Sequence, residues 1–190
     1  MKTRAAPACR ILAAALIAAI LPRVAAEEPK QPGLPPTPAP APAGSGASAL
    51  EKLKALAGDW EEVEPKAGPK GAVASSYRVT GAGSAVVSTL APGTPHEMVS
   101  VYHRDGSDLV MTHYCAAQNQ PRVRAKTVTG NVIAMDYDGG TNVDPAKDMH
   151  IHAVRIEILG PDEMRETWIG WKDGKQEEPP LVLHLKRKKA

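Results

Sequence analysis

The stretch THYCAAQNQPR, Thr112 to Arg122, puts an imidazole, a phenol and a thiol on consecutive or near-consecutive positions and follows them with three amides, a Pro and an Arg. A second pair, His150 and His152, lies in HIHAVRIEIL. Three kinds of chemistry use such groups. His113, Cys115, His150 and His152 are donors for zinc or copper. Two ligands at i and i+2 of a strand lie roughly 7 Å apart, so two strands could converge four of them. Cys115 beside His113 has the composition of a nucleophile with its base. Yet same-face neighbours on a strand are spaced too widely for a direct hydrogen bond, and the plain alternative is a small buried thiol. Asn119, Gln120 and Arg122 could hold a carboxylate or other polar head, Arg offering a planar fork. Amides before Pro121 also close a turn with their own side chains.

Which of these is realised depends on which side chains share a face. From Trp60 onward the apolar residues recur every second position, and turn residues interrupt them often. Ten strands are expected: Trp60 to Glu64, Val73 to Thr80, Ala85 to Leu90, Met98 to His103, Leu109 to Ala116, Val123 to Thr129, Val132 to Asp136, His150 to Leu159, Met164 to Trp171 and Val182 to Arg187. The breaks include Gly81-Ala82-Gly83-Ser84, Asp105-Gly106, Gly130-Asn131, Gly160-Pro161-Asp162 and Lys172-Asp173-Gly174. Most are short enough to join antiparallel neighbours. The long interruption runs from Tyr137 to Asp148.

Ser48-Ala49-Leu50-Glu51 fits a capping box, and Leu50, Leu53 and Leu56 follow at helical spacing before Gly58. The expectation is one short helix carrying a leucine stripe. A flat sheet of ten strands leaves two exposed edges, and closure into an up-and-down antiparallel barrel removes them. The helix then caps one open end. The fold class is all-β.

Register assigns the interior. A three-residue loop Arg104-Asp105-Gly106 pairs Val101 with Leu109, Val99 with Met111 and Glu97 with His113, and collects the apolar residues on one face. In that register His113 and Cys115 point inward with Glu97 opposite. Period two from Val154, Ile156 and Ile158 places His150 and His152 inward as well. Met164, Glu166 and Trp168 form the inner set of the next strand. Trp60 and Tyr77 read as core anchors.

The ends of the chain differ in composition. Residues 1–26 carry Lys2, Arg4 and Arg10 before the apolar run Ile11 to Ile20, then the small residues Val24-Ala25-Ala26. This is the pattern of a cleaved signal peptide, too short to span a bilayer. Without those residues the balance of 23 basic and 21 acidic residues becomes 19 and 21, and the charge of +2 becomes −2. Nothing in that balance resembles a nucleic-acid footprint. The run Lys186 to Lys189 reads as a solvated strand end. Residues 27–48, EEPKQPGLPPTPAPAPAGSGAS, hold one large apolar residue and cannot offset their ordering entropy, so they read as an extended spacer. The folded domain is assigned to residues 49–190, enough for one sizeable core. An exported protein is expected, periplasmic or extracellular, with no transmembrane segment in the mature chain.

The helix followed by Leu53-x-x-Leu56-x-Gly58-x-Trp60 and a string of hairpins resembles the calycin-type barrels, which include lipocalins, fatty-acid-binding proteins and the ten-stranded nitrobindins. GSAVVSTLAPGTPHEM, the Asp105-Gly106 turn, THYCAAQNQPR and the final Leu185 to Lys188 resemble bacterial secreted proteins with lipocalin-like domains. The resemblance implies a barrel with an enclosed interior. Nitrobindins bind haem through a His near the chain end, and His184 stands in that neighbourhood. But Leu181, Leu183 and Leu185 define the apolar face of its strand, and GDWEEVEPKAGP replaces the glycine-rich first-strand pattern.

The reading that follows is a barrel that binds a small, mainly apolar or amphipathic molecule. Its polar head would be fixed by Glu97, His113, Cys115, Asn119, Gln120, Arg122, His150, His152, Glu166 and Trp168. No cofactor is required. The alternatives are a zinc, copper or haem protein, or a hydrolytic enzyme, using His113, Cys115, His150 and His152. A packed envelope module without a ligand is the third.

Overall fold

The computed structural model describes residues 45–65, 69–125 and 128–189. The expected signal peptide, and the spacer up to residue 44, lie outside the described residues, as do residues 126 and 127 of the expected sixth strand. Among the described residues one α-helix, α1 (Ser45–Ala55), precedes twelve strands. These are β1 (Gly58–Glu62), β2 (Val73–Thr80), β3 (Ala85–Leu90), β4 (Met98–Asp105), β5 (Asp108–Tyr114), β6 (Gln120–Ala125), β7 (Val128–Thr129), β8 (Val132–Thr141), β9 (His150–Gly160), β10 (Glu163–Lys172), β11 (Lys175–Gln176) and β12 (Leu181–Arg187).

Ten of them close a ring. Each of β1 to β5 pairs antiparallel with the next, β6 pairs β8, and the ladder continues through β9, β10 and β12 back to β1. The two-residue strands β7 and β11 attach to β8 and β10. The result is a closed antiparallel barrel, compatible with the calycin type, and closure leaves no long edge to pair with another chain.

The helix covers one end. Leu50, Leu53 and Leu56 are buried, as the spacing requires, and α1 packs on β2 to β5 and β7. Each such leucine contributes about 1.5–3 kcal/mol by leaving water. The helix begins at Ser45, earlier than the capping box places it, so Ser48 is an exposed helical residue whose Oγ accepts from Lys52 Nζ at 3.1 Å. The early start follows from Gly46, whose backbone N–H donates to the Ser107 carbonyl at 2.9 Å. A Cβ at that position would lie 2.4 Å from the Asp108 carbonyl carbon, so only glycine allows the approach.

At its other end the helix is tied to the last strand. Trp60 Nε1 donates to the Leu56 carbonyl at 2.8 Å. Arg187 lies 4.4 Å over the Trp60 ring and donates to the Ala55 and Ala57 carbonyls at 3.1 and 2.7 Å. A guanidinium there meets the negative end of the helix dipole. In the run Lys186 to Lys189 the three lysines are exposed, as a solvated end requires, but Arg187 is a clamp, and the Lys188 N–H donates to the Asp59 carbonyl at 2.8 Å.

Two register expectations are corrected. The β4–β5 hairpin has a two-residue loop, Gly106-Ser107, with Asp105 opposite Asp108. Gly106 has φ of +60° and Ser107 does not share that region, which is the signature of a type II′ turn. Val101 thus pairs with Thr112 and Val99 with Tyr114, while Ser100 pairs with His113 and Tyr102 with Met111. Ser100 and Tyr102 are buried, Val99 and Val101 only half-buried. The assumption that failed was that the inner face must be uniformly apolar.

In β9 the pairing to β10 passes from Ala153↔Ile169 to Ile151↔Gly170, which puts His152 in a bulge. A bulge shifts the phase of alternation. Ile151 packs against the core of Val154 and Ile156, while His150 is fully buried and His152 half-buried. The expected long loop from Tyr137 is shorter, because β8 continues to Thr141 with Gly140 opposite Pro121. A Cβ on Gly140 would lie 2.9 Å from Pro121 Cα.

Candidate functional site

The middle of the barrel is polar. Ser75 and Tyr77 of β2, Ser88 of β3, Ser100 and Tyr102 of β4, His113 of β5, and Glu166 and Trp168 of β10 are all at most 3 % exposed. Above them, toward α1, lie Trp60, Leu109, Ile156, Met164 and Leu185.

Glu166 is the hub of the polar layer. Its Oε1 accepts from Tyr77 Oη at 2.7 Å and from Ser75 Oγ at 3.3 Å, and its Oε2 accepts from Trp168 Nε1 at 3.0 Å. Burial pushes the carboxyl pKa up, and the three donors only partly oppose it. Burial, then the neighbouring Glu166, raises Tyr77 well above the phenol range. Tyr102 is raised by the same two causes in the same order. The Tyr77 and Tyr102 rings stack with centroids 6.4 Å apart.

His113 is the second centre. Its Nδ1 is 2.9 Å from Ser100 Oγ, and its ring centroid is 5.1 Å from that of Trp168. Burial lowers its pKa to about 4, so the imidazole is neutral at pH 7. Its Nε2 is buried without a hydrogen-bond partner among the described residues. The Tyr102 hydroxyl lies among those of Ser88, Ser100 and Tyr77, but is aligned with none of them as a hydrogen bond. Buried polar atoms are nearly always satisfied, so each vacancy needs a cause.

Below the layer, at the end away from α1, opens an apolar mouth of about 310 Å3, lined by Ala74, Leu90, His96, Met98, Leu181 and Leu183 among others. Its floor shares rungs with the polar layer: Leu90 pairs with Ser75, and Leu183 with Glu166. A larger hollow of about 590 Å3 lies against Arg124, Asp136, Asp138 and Arg155. Its two cations are already engaged, Arg124 with Asp105, Asp108 and Asp138, and Arg155 with Glu157. The mouth is the better apolar site.

Of the residues singled out in the sequence, His113, Glu166 and Trp168 come together. Glu97 does not. It precedes β4, is exposed, and its Oε2 accepts from the Gly93 N–H at 2.6 Å. Cys115 is half-buried just past β5, in a turn where its N–H donates to the Asn119 carbonyl at 3.0 Å. Asn119 is buried and ties that turn to the next loop, its Nδ2 donating to the Met149 carbonyl at 2.7 Å. Gln120 Oε1 accepts from Thr141 Oγ1 and Asn142 Nδ2 at 3.0 and 2.8 Å. Arg122 is exposed and paired with Asp138 at 3.2 Å. Asn119 and Gln120 fasten the start of β6 to neighbouring segments, and Arg122 ties β6 to β8.

His150 and His152 form their own cluster. His150 Nδ1 donates to the Asp148 carbonyl at 2.8 Å, and its Nε2 lies 3.1 Å from His152 Nδ1. His152 is stacked between Trp171, at 4.0 Å, and Tyr137, at 5.1 Å. Burial, followed by the neighbouring His150, lowers its pKa. Among the described residues no three His, Cys, Asp or Glu side chains are grouped to hold a metal ion, so the four expected donors do not form one set. His184, the haem candidate, is paired with Glu163 at 2.6 Å.

Sequence reasoning missed Ser75, Ser88, Ser100 and Tyr102. Their signal was present as serines alternating with bulky residues, in Ser75-x-Tyr77, Val86-x-Ser88-x-Leu90 and Ser100-x-Tyr102. Among the described residues no helix is long and apolar enough to cross a membrane. Compared with known proteins, the chain matches no family model and no curated protein.

Proposed function

We propose that this chain is an exported, lipocalin-like barrel that binds a small, mainly apolar molecule through the mouth opposite α1. The observation that carries this reading is the apolar mouth of about 310 Å3 set directly over a buried polar layer. That combination, apolar walls with a few converging polar groups, is what holds and orients a small ligand. The expected export signal and the proline-rich spacer agree with a binding module held outside the cytoplasm.

The test is binding of an uncharged hydrophobic fluorophore, N-phenyl-1-naphthylamine, to the purified domain. Leu183 is nearly buried at the floor of the mouth. Leu183→Arg places a charge there and is expected to weaken binding about tenfold or more, roughly 1.4 kcal/mol or above. Tyr114→Arg, on an exposed residue outside the mouth, is expected to leave binding unchanged. Equal affinity in wild type and Leu183→Arg would remove the mouth as the site. No binding by the wild type would favour a packed module without a ligand.

A further inference from the structure

The chemistry of the polar layer restricts the ligand further than its size does, given the binding reading above. We infer that the head group of the guest is uncharged but hydrogen-bonding, a hydroxyl or carbonyl oxygen, and that it engages Nε2 of His113 while the apolar part fills the mouth.

The first ground is the vacancy itself. His113 is 1 % exposed and its Nε2 has no partner, while its Nδ1 is occupied by Ser100. A buried polar group left unsatisfied costs about 1–3 kcal/mol, which a guest able to donate or accept recovers.

The second ground is charge. The layer is built from three serines, two tyrosines, a tryptophan, a neutral imidazole and one carboxyl group. It holds no Lys or Arg to receive an anion. Arg122, the planar fork the sequence offered, is exposed and paired with Asp138. A carboxylate head would also face Glu166. A cationic head meets a different obstacle: both Glu166 oxygens already accept from Tyr77, Ser75 and Trp168. Moving an unpaired ion into such a site is far costlier than moving a hydroxyl.

The third ground is connection. Leu90 and Leu183 line the mouth and pair directly with Ser75 and Glu166 of the layer.

The experiment is competition against N-phenyl-1-naphthylamine by chain-matched 1-nonanol, 2-nonanone, nonanoate and nonylammonium at pH 7. The alcohol and ketone are expected to displace the probe at concentrations about tenfold or more below the two ions. His113→Phe is expected to reduce the advantage of the neutral heads over the ions, read as the ratio of displacing concentrations within that variant, and His113→Gln, which keeps a polar tip, is expected to retain it. Displacement by all four at equal concentration, or preference for either ion, overturns the inference and leaves the mouth as a binding site. An undiminished preference in a folded His113→Phe variant also overturns it. If that variant does not fold, the wild-type ranking decides. A wild-type domain that does not take up the probe overturns the binding reading and this inference together.

Discussion

Trp60→Ala is expected to lower the unfolding free energy of the domain by about 3–5 kcal/mol, as a buried aromatic truncated to alanine does. Trp60 is fully buried where the helix, the first strand and the last strand meet. Its ring supports the Arg187 guanidinium at 4.4 Å, and its Nε1 satisfies the Leu56 carbonyl at 2.8 Å. Removing it leaves a cavity, frees a helix carbonyl and loosens the clamp that Arg187 forms on Ala55 and Ala57. The leucine stripe then loses its anchor to the barrel. Urea midpoints of the wild type and variant measure the effect. A loss below about 1 kcal/mol would mean that the helix is not held through this residue.

Acid should destabilise the domain in a window set by His113. Its folded pKa is lowered to about 4 from an ordinary value of 6.5. The unfolded chain therefore takes up this proton first as the pH falls, so the contribution is complete above 6.5 and is lost progressively toward pH 4. The difference corresponds to about 3 kcal/mol. Glu166 acts with the opposite sign. Its folded pKa is raised, so its contribution is complete below 4.5 and is lost as the pH rises through the folded value. His113→Gln should flatten the loss between pH 6.5 and 4. Glu166→Gln should leave that loss in place and gain stability relative to wild type as the pH rises above 4.5. Urea unfolding at a series of pH values separates the two. A wild-type profile that is flat between pH 6.5 and 4, with no change in His113→Gln, would contradict the burial of a neutral imidazole.

The parts of the fold legible in the sequence were those carried by strong local patterns. The period-two runs and their turns mark the ten wall strands, and the Leu50, Leu53 and Leu56 spacing marks the capping helix. Met164, Glu166 and Trp168 were placed inward from alternation alone, and they are. Alternation fails where one residue changes the phase. Asp105-Gly106 suits two hairpin geometries, and the choice between them turned on the assumption of an apolar inner face. The serines and Tyr102 disprove that assumption, because buried hydrogen bonds make polar residues tolerable inside. The bulge at His152 left no mark in the pattern of His150 to Leu159, since histidine sits on either face. The same two slips moved Glu97 out of the interior and left His152 half-buried, while His150 stays fully buried. They also concealed the layer around Glu166, which no spacing motif announces, because its members come from five strands.

The binding reading depends on where a guest perturbs the barrel, and methyl and indole NMR shifts report that directly. On titration with 1-nonanol, the methyls of Leu90, Met98 and Leu183 and the indole N–H of Trp168 are expected to shift together with a single saturation curve, while Leu53 under the helix stays fixed. Shifts confined to Val99 and Val101 on the half-buried outer side of β4, or none at saturating alcohol, would contradict it.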